Sequence, residues 1–192
     1  MIRETIITTQ SKTGDVHIAP MGIHEQGSQL IIMPFRPSTT LNNILANRTA
    51  VINYIDDVRV FAGCLTGRRN WSLTDTKVIQ GKYLTIALAH SELELQNIED
   101  DELRPKLFCK VAYEVNHASF RGFNRAQFAV IEAAVLVSRL GMLPWVKIQS
   151  EIEYLKIGLD KTAGKKEHEA WDWLMQAVEQ FKTKNPEKVA NR

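Results

Sequence analysis

A short segment between residues 34 and 43 combines one cation with three consecutive hydroxyl side chains. Arg36 is followed by Pro37 and then by Ser38, Thr39 and Thr40, and no Asp or Glu occurs between Glu25 and Asp56. A helix that starts after Ser38 would present unpaired N–H groups, which with Arg and hydroxyl donors suit a phosphate dianion. The pattern equally fits an ordinary capped helix after a β-turn.

The apolar segment at residues 15–23 offers a second candidate contact. Pro20 lacks the N–H that a strand ladder needs, and Gly22 permits close backbone approach. Together they indicate a sheet edge, a bulge or a ligand contact. A flat aromatic ligand could lie against such an edge, with main-chain donors meeting its polar rim.

A second acid-free stretch runs from Val115 to Ile131. Arg125 falls in the first turn of an apolar helix, where a cation opposes the helix dipole by some tenths of a kcal/mol. A nearby anion would compensate for this. It could be a ligand phosphate, a carboxylate of a partner subunit, or a carboxylate of the same chain.

Other signatures of chemistry are missing from the sequence. It contains no phosphate-binding loop, no Gly-x-Gly-x-x-Gly fingerprint, no nucleophile elbow, and no His pair at metal-ligand spacing. Asp56 with Asp57, or Glu92 with Glu94, could act as acid and base, but helix capping and a solvated strand face explain them more simply. If the chain is an enzyme, a bound cofactor supplies its chemistry.

Short β-branched runs dominate the first 120 residues and predict an antiparallel sheet or barrel. The runs cover residues 5–9, 16–23, 29–35, 50–55, 93–98 and 107–115. Ser38 can cap a short helix over 39–47, and Asp56 or Asp57 can cap a second one that reaches Leu65. Residues 82–91 fit a strand and a helix equally well.

From Asn124 onwards, apolar residues recur with the helical period. Asn124 with Gln127 forms a possible capping box for a helix to Leu140, and a second helix follows from Pro144 to Gly164. A third ends before Pro186 and leaves a frayed tail, and the last two are expected to pair as an antiparallel hairpin. The predicted fold class is α+β, mainly β. A split barrel over 1–120 carries inserted short helices, and a three-helix extension covers 121–192.

Composition narrows the function classes. The chain has 192 residues with 24 basic and 22 acidic side chains, a net charge of +2, so it has no global attraction to nucleic acid or anionic membranes. No apolar run is long enough to cross a membrane, and no secretory signal is visible. We therefore expect a cytoplasmic protein in which Cys64 and Cys109 are buried thiols.

Four motifs resemble the domain-of-unknown-function 447 family, which belongs to the flavin-reductase-like, FMN-binding split barrels. They are residues 18–22 (IAPMG), 35–40 (FRPSTT), 51–54 (VINY) and 121–126 (RGFNRA), the last continued by AVIEA at 129–133. The resemblance covers nearly the whole chain. It implies a homodimer with FMN near the subunit interface.

The resemblance also assigns residues to the flavin. It implies that the phosphate is held by Arg36, Ser38, Thr39 and Thr40, with Asn42 close behind. The isoalloxazine would face the main chain of Ala19, Pro20, Met21 and Gly22, with His17 as a further candidate. Asn53 and Asp57 would lie near the ring or the ribityl chain. Arg121, Asn124 and Arg125 match a motif that completes either the cofactor site or the interface.

Three functions remain open from the sequence. The first is a flavin-dependent reductase or oxidase, with NAD(P)H or another electron donor and no identified catalytic residue. The second is a flavin carrier or sensor without catalysis. The third is a nucleic-acid or protein interaction module that uses the Arg68-Arg69-Asn70-Trp71 segment and residues 121–125.

Overall fold

Eight strands and six helices make up the part of the chain that the structure, a computed structural model, describes: residues 1–27 and 29–190. In chain order they are β1 (Ile2–Gln10), β2 (Val16–Gln26), β3 (Gln29–Ile32), α1 (Thr39–Asn47), β4 (Thr49–Tyr54), α2 (Arg59–Leu65), β5 (Leu73–Asp75), β6 (Lys82–Leu84), β7 (Ala89–Glu99), β8 (Lys106–Asn116), α3 (Arg125–Ser138), α4 (Trp145–Thr162), α5 (Lys165–Lys184) and α6 (Pro186–Ala190). They form two compact units, one from residues 1–56 and 70–120, and the other from residues 57–69 and those from 121 onwards.

The first unit is a closed antiparallel barrel with the strand order β1-β2-β3-β8-β7-β4. Because side chains alternate across each strand, one set of apolar residues fills the interior. Ile7, Ile23, Ile52, Leu93 and Leu107 belong to this core. The α+β fold with an antiparallel barrel, predicted from the sequence, is confirmed.

Helix α1 lies at the end of the barrel where β1 finishes. Asn43 donates to Thr9 Oγ1 at 3.1 Å, and Asn47 donates to the carbonyl of Gln10 at 2.6 Å. Leu41 and Ile44 of α1 pack into the barrel core. The barrel and α1 therefore fix where the helix begins.

A small hairpin of β5 and β6 lies against the outer face of β1 and β4. Thr8 Oγ1 donates to the carbonyl of Lys82 at 2.6 Å, which ties β6 to β1. The segment 82–91, ambiguous from sequence, divides into strand β6, a turn, and the start of β7 at Ala89. Tertiary pairing decides in favour of strands here, because β6 pairs with β5 and β7 pairs with β4 and β8.

The second unit is a helical core centred on α3. Ala126, Ala129 and Ala133 let other helices approach α3 closely, and Trp171 and Leu174 of α5 pack into the same cluster. Helix α4 packs on α3, and α5 packs on α3 and α2, whereas α4 and α5 have little contact with each other. The predicted antiparallel hairpin of α4 and α5 is therefore wrong, because α3 offers both helices an apolar surface.

Several helix boundaries differ from the sequence prediction. Helix α2 begins after Val58, although Asp57 Oδ1 still accepts the N–H of Arg59 at 3.2 Å. Helix α3 ends at Ser138, two residues before Leu140.

The C-terminal end differs as well. Helix α5 stops before Pro186 as predicted, but residues 186–190 form α6 rather than a frayed tail. Residues 191 and 192 of that predicted tail lie outside the described residues. No helix among the described residues is long and apolar enough to cross a membrane.

Burial of the two thiols, also predicted, is confirmed. Burial raises the pKa of Cys64 to about 11 and that of Cys109 to about 12. Neither thiol is a reactive thiolate at neutral pH.

We expect Leu93→Ala to destabilise the protein by about 2–5 kcal/mol, because the change leaves a cavity in the barrel core. Leu93 is 0% exposed. Urea unfolding measures the free energy of unfolding. The matched control is Glu94→Ala on the exposed face of the same strand, which should change it by less than about 0.5 kcal/mol. Equal effects of the two variants would contradict the assignment of inward and outward faces.

Candidate functional site

The start of α1 carries the strongest candidate for an anion site. Ser38 is the N-cap residue, and its Oγ accepts the N–H of Leu41 at 3.2 Å. The N–H groups of Thr39 and Thr40 have no acceptor within the helix. The first turn holds no acidic residue, so the positive end of the helix dipole is not neutralised locally.

Arg36 lies just before this helix start. Its backbone N–H donates to the carbonyl of Leu103 at 2.9 Å, and its guanidinium forms a 2.7 Å ion pair with Asp100. Side-chain exposure is 44% for Arg36 and 80% for Asp100. Since exposed ion pairs contribute little, the guanidinium can exchange Asp100 for another anion at small cost. Asn42 is exposed one turn into α1.

The structure thus brings together the residues that were predicted to hold the phosphate. These are Arg36, Ser38, Thr39, Thr40 and Asn42, all at one helix start. Their ligand-binding role stays a prediction.

Strand β2 has an open edge along the segment predicted to face a flat ligand. Strand β3 pairs only with residues 23–26 of β2, whereas β1 pairs with residues 16–24. Residues 19–22 therefore have β1 as their only strand partner in the described sheet. This confirms the edge interpretation of Pro20. A Cβ on Gly22 would lie 3.0 Å from Ile2 Cγ2, so the backbone there lies close to the neighbouring strand.

His17, Ala19 and Met21 lie on the opposite face of β2 from Pro20 and Gly22, because side chains alternate. Met21 packs against the barrel core, and its carbonyl accepts the hydroxyl of Thr5 at 3.0 Å. A ligand at this edge would meet backbone groups more than side chains.

Asn53 holds the barrel wall together. It is 0% exposed, and its amide donates to the carbonyl of Ile6 and to Thr8 Oγ1, both at 3.1 Å. Its Oδ1 accepts the N–H of Leu84 at 2.6 Å. The side chain thereby joins β1, β4 and β6, and within the described structure its polar atoms are already engaged.

Asp57 belongs to the second unit and is 3% exposed. Its carboxylate accepts bonds from Arg59 at 2.7 Å and from Lys166 at 3.0 Å. Burial raises the pKa of Asp57, but the hydrogen bonds and charges of Arg59 and Lys166 outweigh it, so the net shift is downward. The geometry shows a structural ion-pair cluster, and the predicted contact of Asp57 with the flavin stays a prediction.

The fourth motif, at residues 121–126, lies in the second unit. Asn124 caps α3 by accepting the N–H groups of Ala126 and Gln127, and it donates to the carbonyl of Thr162 at 3.1 Å. The reciprocal half of the predicted capping box is absent among these residues, because the Gln127 amide points to Glu167 at 3.5 Å. Asn124 is therefore the structural residue that joins α3 to the end of α4.

Arg121 and Arg125 are exposed. No ion pair joins either of them to a carboxylate in the described ranges. Arg125 borders an apolar groove of about 150 Å³ that Phe128, Tyr154 and Ile157 also line. Of the anions expected near Arg125, a carboxylate of the same chain is thus not found among the described residues.

The basic segment at 68–69 is engaged within the second unit. The guanidinium of Arg68 stacks on Trp173 at 4.7 Å and donates to Gln176 at 3.4 Å. Arg69 donates to the carbonyl of Cys64 at 3.3 Å. These contacts favour a packing role over nucleic-acid binding.

A cleft of about 460 Å³ at the mouth of the barrel was missed from the sequence. It lies at the end where β4 finishes and β7 begins, opposite to α1. Its lining combines polar side chains with apolar ones such as Leu88 and Phe120. Arg3 and Glu25 pair there at 2.5 Å, and Ser91 donates to Glu114 at 2.6 Å. The sequence signal that could have revealed this cleft was the alternation of polar residues at the strand ends, which places several of them on the inner face.

Tyr54 also lines this cleft. Burial raises the pKa of Tyr54 and the charge of Glu114 adds to the effect, while the hydrogen bond between Tyr54 and Ser91 opposes it. The Tyr54 phenol therefore stays protonated at neutral pH.

Glu92 does not lie on a solvated strand face, as the sequence suggested. It is 0% exposed, and its carboxylate accepts the N–H groups of Lys77, Val78 and Ile79 at 2.6–2.9 Å. Glu94 is exposed as predicted. The alternation of side chains along a strand placed Glu92 and Glu94 on the same outer face. It could not show that the loop before β6 covers Glu92. Among the described residues no cluster could hold a metal ion.

Family comparison covers most of the chain. The family described as "Protein of unknown function (DUF447) N-terminal domain" matches residues 3–118, and that described as "Protein of unknown function (DUF447)" matches residues 124–176. An uncharacterized protein, MJ1453 of Methanocaldococcus jannaschii, is 23% identical over 145 residues. The match spans 73% of this chain and 75% of that relative.

Solved structures share the fold. The FMN-bound DUF447 protein MM1853 from Methanosarcina mazei superposes with a TM-score of 0.79 at 21% identity, over 92% of this chain and 94% of that one. The NADH:FAD oxidoreductase SgcE6 of Streptomyces globisporus has a TM-score of 0.51 at 9% identity, over 62% of this chain and 79% of that one.

Asp57→Asn tests the ion-pair cluster. A carboxylate whose pKa is lowered in the folded state stabilises the protein above its unfolded pKa of about 4, and this stabilisation is lost as the pH falls further. We expect the variant to lose roughly 1–3 kcal/mol of unfolding free energy at pH 7 and to show a flatter decline in acid. Urea unfolding across a pH series measures both, and Asp56→Asn serves as the neighbouring control. An unchanged acid limb would contradict the cluster.

Proposed function

Because the chain belongs to the DUF447 family, we propose that it is an FMN-binding flavoprotein that acts as a flavin-dependent oxidoreductase. The observation that carries the proposal is the acid-free start of α1, with Arg36 beside it and an open edge of β2 in the same unit. The FMN-bound relative and the NADH:FAD oxidoreductase of the same fold support it.

The residues at the α1 start fit a phosphate dianion. Thr39 and Thr40 offer backbone N–H groups, and the Ser38 hydroxyl keeps its own proton to donate while its oxygen caps Leu41. Arg36 adds a charged donor whose present partner is a highly exposed carboxylate. A helix start with these donors binds phosphate without any further group.

The open edge of β2 fits the polar rim of a flat ring. Along residues 19–22, alternate main-chain groups point away from β1 and so meet no second strand. Backbone donors and acceptors of this kind can orient a heterocycle through hydrogen bonds. FMN, when bound, supplies the redox chemistry itself, so the role of this chain is to bind, orient and shield it.

We further propose that the protein is a homodimer, as the resemblance implies. Phe128, Tyr154 and Ile157 of the second unit are 56%, 72% and 51% exposed and border one groove. Large apolar side chains exposed side by side are typical of a protein interface.

Arg36→Ala should weaken FMN binding roughly 10- to 100-fold, because charged hydrogen bonds contribute about 1.5–3 kcal/mol. Flavin fluorescence or calorimetric titration measures the dissociation constant. Arg3→Ala, in the cleft at the opposite end of the barrel, is the matched control and should leave it unchanged. If Arg3→Ala weakens binding and Arg36→Ala does not, the phosphate lies in the cleft instead.

Rapid mixing of the FMN-loaded protein with NADH or NADPH separates an enzyme from a flavin carrier. We expect the flavin absorbance to bleach faster than for free FMN under the same conditions, because a site that also holds the nicotinamide against the bound ring lowers the entropic cost of hydride transfer. Free FMN at equal concentration is the control. Bleaching no faster than that control with either donor would assign the protein to the carriers or sensors.

A further inference from the structure

A buried carboxylate and two histidines form a continuous chain on the outer face of β7 and β8. Glu92 Oε1 lies 3.3 Å from His90 Nε2, and His90 Nδ1 lies 2.8 Å from His117 Nε2. Glu92 is 0% and His90 is 2% exposed, whereas His117 at the end of β8 is exposed. The chain thus runs from the interior to the surface.

Hydrogen-bond roles along this chain follow from its buried end. Burial raises the pKa of Glu92, but the backbone N–H bonds of residues 77–79 and the bond from His90 outweigh it. The net shift of the pKa is downward, so the group is a carboxylate. A carboxylate only accepts hydrogen bonds, so His90 Nε2 must carry a proton. Burial lowers the pKa of His90 more than the bond to Glu92 raises it, so the ring is neutral and its Nδ1 accepts.

The position of the proton on His117, the surface residue, follows in the same way. Since His90 Nδ1 is an acceptor, Nε2 of His117 must donate to it. A neutral His117 then keeps its lone pair on Nδ1, to which no residue in the described ranges forms a hydrogen bond. Glu92 acts through His90 to present one nitrogen of an exposed imidazole as a base.

The surroundings hold this arrangement rigidly. The Tyr83 ring stacks on both imidazoles, at 4.0 Å from His90 and 5.0 Å from His117. Tyr113 faces His90 at 6.1 Å, and the Lys77 ammonium lies 4.7 Å from the Tyr113 ring. Tyr83, Tyr113 and Lys77 thus place titratable groups of β6, β8 and the loop before β6 around the two histidines.

We propose that His117 is a general acid and base site for a small molecule with an exchangeable O–H or N–H proton, with His90 and Glu92 as positioning residues. The substrate proton moves to His117 Nδ1, the electron pair of the broken bond stays on the substrate, and the imidazolium keeps its Nε2 bond to His90. The carboxylate is not protonated in this step, as in the Ser-His-Asp arrangement. The reverse step returns the proton.

The proposal does not depend on flavin binding, and the full-length protein is tested without FMN. Long-range proton–nitrogen NMR at mildly alkaline pH, where imidazoles are neutral, reports which ring nitrogen carries the proton. We expect His117 to be fixed with the proton on Nε2, whereas the exposed His168 of α5 averages between both forms. An Nδ1 proton on His117, or averaging as in His168, would overturn the proposal without any variant.

Glu92→Gln tests the coupling along the chain. The variant amide should keep its oxygen on the N–H groups of Val78 and Ile79, because that position satisfies two donors, and turn its NH₂ group towards His90. The N–H of Lys77, which Glu92 Oε1 accepts in the wild type, then loses its acceptor. His90 Nε2 must then accept, so the protons of both histidines shift to Nδ1 and the NMR signals of His117 invert. Glu94→Gln, two residues along the same strand, should leave them unchanged. A folded Glu92→Gln variant with the wild-type His117 signals would overturn the proposal.

Diethyl pyrocarbonate then probes the base itself. The Nδ1 lone pair of His117 bonds to a carbonyl carbon of the reagent, and an ethyl carbonate group leaves. The imidazole then loses its Nε2 proton to water. Mass spectrometry should show modification of His117 several-fold faster than of His168 in the wild type, and slower than of His168 in Glu92→Gln. A purely structural chain predicts no such inversion, and equal rates in both proteins would overturn the assignment.

Discussion

Pairing of β1 with β4 closes the barrel, and the placement of every candidate site in the first unit depends on it. The register sets Ile6 opposite Asn53 and Thr8 opposite Val51. The buried Asn53 amide donates to Ile6 and Thr8 of β1 and accepts the N–H of Leu84 of β6. Closure removes two strand edges that would otherwise expose unpaired backbone groups. It also aligns the start of α1 with one end of the barrel and the polar cleft with the other.

Buried polar side chains serve this architecture because each is paired. Asn53, Asp57 and Glu92 are at most 3% exposed, and no buried side-chain nitrogen or oxygen among the described residues lacks a partner. A buried carboxylate without a partner would destabilise the folded state, because its desolvation would not be offset by hydrogen bonds or ion pairs. Glu92 meets this condition with three backbone N–H groups and a histidine, which also leaves an exposed imidazole in a defined state. The open edge of β2 is the contrasting case, because its backbone groups await a partner.

Much of the fold could be predicted from local pattern. Ser38 caps α1, Asn124 caps α3 and Pro186 ends α5 because capping and proline geometry depend on near neighbours. Short β-branched runs likewise predicted the six barrel strands, and Pro20 with Gly22 predicted a sheet edge, a bulge or a ligand contact, of which the structure shows the edge. The α4–α5 hairpin failed because helix pairing depends on which apolar faces meet. The solvated position of Glu92 failed because a loop more than ten residues away along the chain covers it.

The sequence by itself determined the α+β fold, the family, and the acid-free segment around Arg36 whose donors all lie within eight residues. Such features are local, or repeat with the period of one element. Only the tertiary structure decided that Asn53 is a structural amide, that Asp57 pairs with Lys166, and that Glu92, His90 and His117 form one chain. Each of these contacts joins residues brought together by strand register or helix packing, and distance along the sequence carries no information about them.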